Sequence, residues 1–147
     1  MILARKARAA ADVAIALRAV IRARRRAART PVGSFVERRG ELPEHTGQVI
    51  AAGRLSETEQ RCGLRWAAAV DRVLHWVPGD SACLVRAAAI RELVRTRGLP
   101  DAEVQIGVRR GPGGFQAHAW VAQHGEPIAE PGELRNLFSR LDGVTIR

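Results

Sequence analysis

At Pro100 the hydrophobic period of this chain changes. Before it, apolar residues recur at helical spacing; after it, they alternate. Helices first and an antiparallel meander after is an α+β arrangement, not the alternating order of a parallel sheet. With 147 residues, of which 46% are apolar, there is material for one modest core.

The helical part divides into three. Residues 2–29 favour helix throughout, and Val13, Leu17 and Val20, with Ile21 beside them, mark a narrow docking face. Residues 30–54 are rich in Gly, Pro and charge and read as an irregular connector. Ser56-Glu57-Thr58-Glu59 then fits a capping box. Trp66, Val70, Val73 and Val77 follow at helical spacing until Pro78-Gly79, predicting a helix over about 57–76. Asp80-Ser81 offers the N-cap of a third helix, Ala82 to Arg97, ended by Gly98-Leu99-Pro100. Cys83 lies in its first turn, on one face with Ala87, Ile90 and Val94. Residues 1–55 are thus a basic helix with a connector, a docking region, and 56–147 the core of one compact unit.

Beyond Pro100, Val104, Ile106 and Val108 alternate with Glu103, Gln105 and Gly107 as a half-buried strand. A turn over 109–114 leads to a second strand at 115–122, with Phe115, Ala117, Ala119 and Val121 on one face and Gln116, His118 and Trp120 on the other. His124-Gly125 turns into a short third strand ending near Glu130-Pro131, and residues 133–141 read as a brief helix.

Charge limits the function classes. The net +9 is concentrated in residues 1–30, which hold nine basic side chains and only Asp12. The whole domain is therefore not a basic nucleic-acid binder; the question is confined to one helix whose outer face carries Arg18, Arg22, Arg25, Arg26 and Arg29. Lys6 is the only lysine, and this arginine and alanine usage suggests a GC-rich bacterial genome. The uncharged run Val13–Leu17 is far short of the roughly 18–20 residues of a membrane span, and Arg18 and Arg22 break any secretory core. A cytoplasmic protein is expected, with Cys62 and Cys83 as thiols.

Cys83, His118 and Glu130 supply, in this order, what thiol-based acyl transfer needs. A thiol is mostly protonated at neutral pH, and a helix N-terminus with an adjacent imidazolium favours the thiolate. His118 would take the thiol proton and later donate one to the leaving amine. Glu130 would fix the imidazole tautomer, with Glu126 as competing acid. Cys62, inside a helix, reads as core. His45, His75 and His124 carry no role, and no Cys or His spacing suits a zinc site. Neither metal nor cofactor is called for.

Strand register puts Glu130 to a test. A two-residue turn at His124-Gly125 would set Glu130 opposite Ala119 and aim it away from His118. The triad requires an odd-length turn or a bulge between Ala122 and Pro127, with the Glu130 carboxylate in hydrogen-bond reach of the imidazole.

Cys83-Leu84-Val85-Arg86-Ala87, Arg95-Thr96-Arg97-Gly98-Leu99-Pro100, Ile106-Gly107-Val108, and above all Ala117-His118-Ala119-Trp120-Val121 followed by Gly125-Glu126-Pro127, resemble the transglutaminase-like cysteine peptidases of lasso-peptide biosynthesis. The resemblance covers about residues 60–131 and suits the stand-alone peptidase form. It implies a papain-like or transglutaminase-like core, with the nucleophile at a helix N-terminus packed on a small antiparallel sheet. Residue by residue it matches Cys83 to the nucleophile, His118 to the general base and Glu130 to the acid, where many relatives carry Asp. The implied activity is endopeptidase removal of the leader from a ribosomally made precursor peptide before macrolactam closure by a separate cyclase. The implied partners are that precursor, a separate leader-recognition protein and the cyclase itself. Thiol acyl transfer or amide hydrolysis is the nearer rival; a non-enzymatic basic module binding nucleic acid or an anionic surface is the more distant one.

Overall fold

The computed structural model describes residues 2–29, 54–77, 79, 82–130 and 137–140. Three helices, α1 (Ile2–Arg29), α2 (Glu57–Trp76) and α3 (Ala82–Arg95), precede β1 (Glu103–Gly111), β2 (Gly114–Gln123), β3 (Glu126–Pro127) and β4 (Ser139–Arg140). The connector over 30–53 and the Asp80-Ser81 cap lie outside the described residues.

Every pair of helices packs together, and α3 also lies on the sheet, mainly against β2. The core joins Ala16 and Val20 of α1, Trp66 and Val70 of α2, and Ile90 and Val94 of α3 to Val104, Ala119 and Val121 of the sheet. The buried stripe of α1 is Ala16, Ala19, Val20 and Ala23. Of the expected docking face, Val20 is buried and Val13 packs against the core, whereas Leu17 and Ile21 are 39% and 41% exposed. Alanines in the contact let the helices approach closely, and Leu17 and Ile21 turn outward. Carboxylate–arginine contacts span every helix pair: Arg65 donates to Asp12 through Nε (2.7 Å) and Nη2 (2.6 Å), Arg22 Nε to Glu92 at 2.9 Å, and Arg86 to Asp71. No helix among the described residues is long and apolar enough to cross a membrane.

The capping box of α2 forms. Glu59 N–H donates to Ser56 Oγ at 3.3 Å, and Ser56 N–H to Glu59 Oε2 at 2.8 Å. Ser56 Oγ also donates to Glu59 Oε2 at 2.6 Å, and this bond, with the one from Ser56 N–H, holds the Glu59 carboxyl below its ordinary 4.5. A depressed folded value means that this contribution is complete above the ordinary value and is lost as pH falls through the lowered one. Ser56→Ala should cost about 1 kcal/mol at pH 7 in denaturant unfolding, and the deficit should shrink in acid.

Helix α3 ends at Arg95, two residues sooner than expected. Gly98 takes φ +123, and Arg97 and Leu99 N–H both return to Val94 O, at 2.9 and 3.1 Å.

The antiparallel sheet has the order β3-β2-β1-β4. The β1–β2 turn is only Pro112-Gly113, because Arg109 and Arg110, expected in the turn, remain in register opposite Gln116 and Phe115. Their side chains find partners there: Arg109 Nε donates to Gln116 Oε1 at 2.8 Å, and the Arg110 guanidinium lies 5.4 Å from the Phe115 ring centre. Ser139 and Arg140, expected in a helix, pair with Val108 and Gly107 instead; residues 131–136 and 141 lie outside the described residues. The open edge of β1 supplies the hydrogen-bonding partners that capture this segment.

Candidate active site

Alternation divides the sheet. Val104, Ile106, Ala119 and Val121 face or border the helical core, whereas Gln105, Gly107, His118 and Trp120 share the other face. On that second face Trp120 Nε1 donates to Gln105 Oε1 at 3.2 Å. The His118 ring is stacked against Trp120 at 6.2 Å and tilted against Phe138 at 5.5 Å. Gly107, opposite His118, leaves room for this cluster: a Cβ there would lie 2.7 Å from Trp120 Cη2 and 2.8 Å from Phe138 Cβ.

The hairpin after β2 is regular, contrary to the odd-length turn or bulge expected from sequence. Ala122 pairs with Pro127 and Gln123 with Glu126, leaving His124-Gly125 as a two-residue turn. His124 and Gly125 have φ of 51 and 78, the positive values that match a tight turn to strand twist. The register persists through Ile128 N–H to Val121 O at 2.8 Å, and continued extension would aim Glu130 away from His118. Ala129 intervenes with φ 55, a left-handed conformation that costs a residue with a Cβ roughly 1–2 kcal/mol. The chain bends there, β3 stops at Pro127, and Glu130 returns to His118. Oε2 lies 3.8 Å from His118 Nε2, an ion-pair separation and longer than the expected hydrogen bond.

The acid also binds elsewhere. Glu130 Oε1 accepts from Arg86 Nη1. Arg86 in turn donates through Nε to Asp71 Oδ1 at 2.6 Å and through Nη2 to Asp71 Oδ2 at 3.1 Å. Burial, the largest influence, opposes the charged guanidinium, but Asp71 and Glu130 together outweigh it and raise its pKa. The Glu130 and Arg86 side chains are 10% and 21% exposed. Sequence reasoning gave Arg86 no role, although it is the only charged residue between Ala82 and Ile90 and stands three positions after Cys83.

Cys83 occupies the second position of α3, half-buried and packed against the main core. Its i,i+3 relation to Arg86 puts the two on neighbouring positions of one helix face, so Arg86 spans the interval from the thiol's helix to the acid beside His118. No hydrogen bond joins Cys83 to His118 among the described residues. Cys62 is different: burial, the main influence, raises its pKa, and its Sγ donates to Arg97 O at 3.1 Å. Limiting iodoacetamide at neutral pH should label Cys83 ahead of Cys62, read by peptide mapping.

Of the remaining candidates, Glu126 lies in β3 opposite Gln123. His75 meets Trp76 edge-on, and His124 Nε2 is 3.8 Å from Asp101 Oδ2. No group of three or more potential metal ligands is present among the described residues.

In a family-level comparison, the transglutaminase-like superfamily aligns with residues 3–141. The chain belongs to this superfamily. The match includes α1, beyond the 60–131 stretch legible as a resemblance. Transglutaminase-like proteins are typically cysteine-protease-like, and membership points to a cysteine peptidase or acyltransferase kind of activity. Compared with curated proteins and with solved structures, the chain matches none.

Proposed function

We propose that this transglutaminase-like chain is a bacterial, cytoplasmic cysteine endopeptidase that removes the leader from a ribosomally made lasso-peptide precursor. Cys83 is its nucleophile, His118 the general base and Glu130 the orienting acid. The observation that carries the reading is the return of Glu130 to His118 across a strained Ala129, an outlier of the kind that concentrates at functional sites.

The chemistry follows from that pairing. Glu130 at Nε2 leaves Nδ1 for the thiol, so His118 takes the Cys83 proton there, and the Glu130 carboxylate stabilises the resulting imidazolium. The thiolate attacks the scissile carbonyl, and the Cys83 backbone N–H at the helix start is a natural donor to the oxyanion. Collapse breaks the C–N bond, and the amine leaves with the proton held by His118. Water, deprotonated by the same imidazole, then hydrolyses the thioester and releases the leader. The free chain lacks a Cys83–His118 hydrogen bond; in such sites catalytic bonds often tighten only when substrate binds.

A separate recognition protein would hold the leader, and the cyclase would receive the released core peptide. The exposed arginines of α1, Arg18, Arg25 and Arg29, offer a face for an acidic leader or partner. Binding through them should weaken as salt rises.

The test is incubation of full-length precursor with the chain, with and without the recognition protein, in water enriched in ¹⁸O. The expected result is a cleaved precursor carrying ¹⁸O at the new leader C-terminus, with turnover strongly raised by the partner. A leader fragment joined to an added amine, without ¹⁸O, would favour the acyltransferase reading. Full turnover by the lone chain would remove the need for a partner.

A further inference from the structure

The geometry points to Arg86 as a positioning residue that holds Glu130 in place against His118, with Asp71 as its anchor. The inference rests on the proposed thiol site and adds residues to it. A carboxylate has two oxygens, and here they are divided: Oε1 accepts from Arg86 Nη1, leaving Oε2 directed to His118 Nε2 at 3.8 Å. The other two donating nitrogens of the guanidinium, Nε and Nη2, are committed to the two oxygens of Asp71. The planar fork is therefore engaged on both sides, a geometry that a lysine point charge cannot reproduce.

The need for such a clamp lies in the backbone. Glu130 stands after β3 has ended and one residue beyond Ala129 at φ 55, so no strand register fixes its direction. Arg86 projects from α3, the helix that carries Cys83 in its first turn, and Asp71 from α2. The clamp thus fixes the acid relative to the thiol's own helix, so that nucleophile, acid and histidine share one frame. The groups facing His118 are Glu130, Trp120 and Phe138; those facing Glu130 are His118 and Arg86; those facing Arg86 are Glu130 and Asp71. Outer partners of this kind typically cost about 10–100-fold when removed from metal sites, where the orienting principle is the same.

The test is the iodoacetamide alkylation rate of Cys83 against pH, by peptide mapping, in wild type, Arg86→Met, Arg86→Lys, Glu130→Gln and the double variant Arg86→Met/Glu130→Gln, each checked by thermal unfolding. Arg86→Met and Glu130→Gln should each slow alkylation about 10–100-fold near pH 6 and displace the profile in the same direction. The double variant should be no slower than Glu130→Gln alone, because both act through one carboxylate. Arg86→Lys should recover only part of the loss. A wild-type profile in folded Arg86→Met, or losses that multiply in the double variant, would overturn the inference and leave the thiol site standing. Wild-type Cys83 reacting no faster than Cys62 would overturn the thiol site itself and this inference with it.

Discussion

Replacing His118 by alanine should lower kcat/KM for precursor cleavage by about 10²–10⁴-fold while the protein stays folded. The side chain is 28% exposed and lies against Trp120 and Phe138 at the border of a small cluster apart from the main core, so its loss opens little interior space. The expected loss is large because in the proposed mechanism one imidazole performs both transfers, taking the thiol proton before attack and protonating the leaving amine. The deficit should fall in kcat with KM little changed, since the ring contributes to the transition state more than to substrate binding. Thermal unfolding separates this result from misfolding. A folded His118→Ala protein with wild-type kcat would remove His118 from the mechanism.

The second large effect comes from a residue with no side chain. Gly63 is inside α2, where alanine would ordinarily be better by about 1 kcal/mol. Here a Cβ would lie 2.3 Å from Ile128 Cγ2. Ile128 is 2% exposed and cannot retreat without carrying Ala129 and Glu130 along. Gly63→Val should therefore destabilise the fold by about 1–3 kcal/mol and lower activity further by displacing the acid. Gly113 is the control: nothing would lie within 4 Å of its Cβ, and Gly113→Ala should leave both properties unchanged. Urea unfolding and kcat on the same samples give the comparison. A stabilised, fully active Gly63→Val would show that the close approach of Ile128 to α2 does not position Glu130.

What the sequence made legible was local. The Ser56 to Glu59 box is written in four adjacent residues, and the alternation from Val104 onward separates the faces of β1 and β2 with His118 beside Trp120. Cys83 could be placed in the first turn of α3 because Pro78-Gly79 and the apolar face from Ala87 to Val94 bracket it. Features that depend on distant partners were not legible. Ser139-Arg140 becomes a strand because the edge of β1 is open, a fact about residue 107 rather than 139. Leu17 faces outward because the alanines beside it allow closer helix contact. The register argument held that a two-residue turn would aim Glu130 away from His118; the turn has two residues, yet Glu130 lies beside His118. It missed the remedy, since alanine at position 129 gives no local signal of a left-handed conformation. Arg86 was visible as a charge in an apolar helix, but its partners Asp71 and Glu130 come from two other elements, and only the fold brings them together.

The central claim is that Cys83 performs the cleavage, and the most direct measurement is mass spectrometry of full-length precursor incubated with the recognition protein and, side by side, wild type, Cys83→Ala or Cys62→Ala. Cys62 is half-buried and hydrogen-bonded to Arg97 O, so its variant controls for loss of a thiol as such. The account predicts one new N-terminus at the leader–core junction with wild type and with Cys62→Ala, and intact precursor with folded Cys83→Ala. Cleavage at the same junction and the same rate by Cys83→Ala would contradict it.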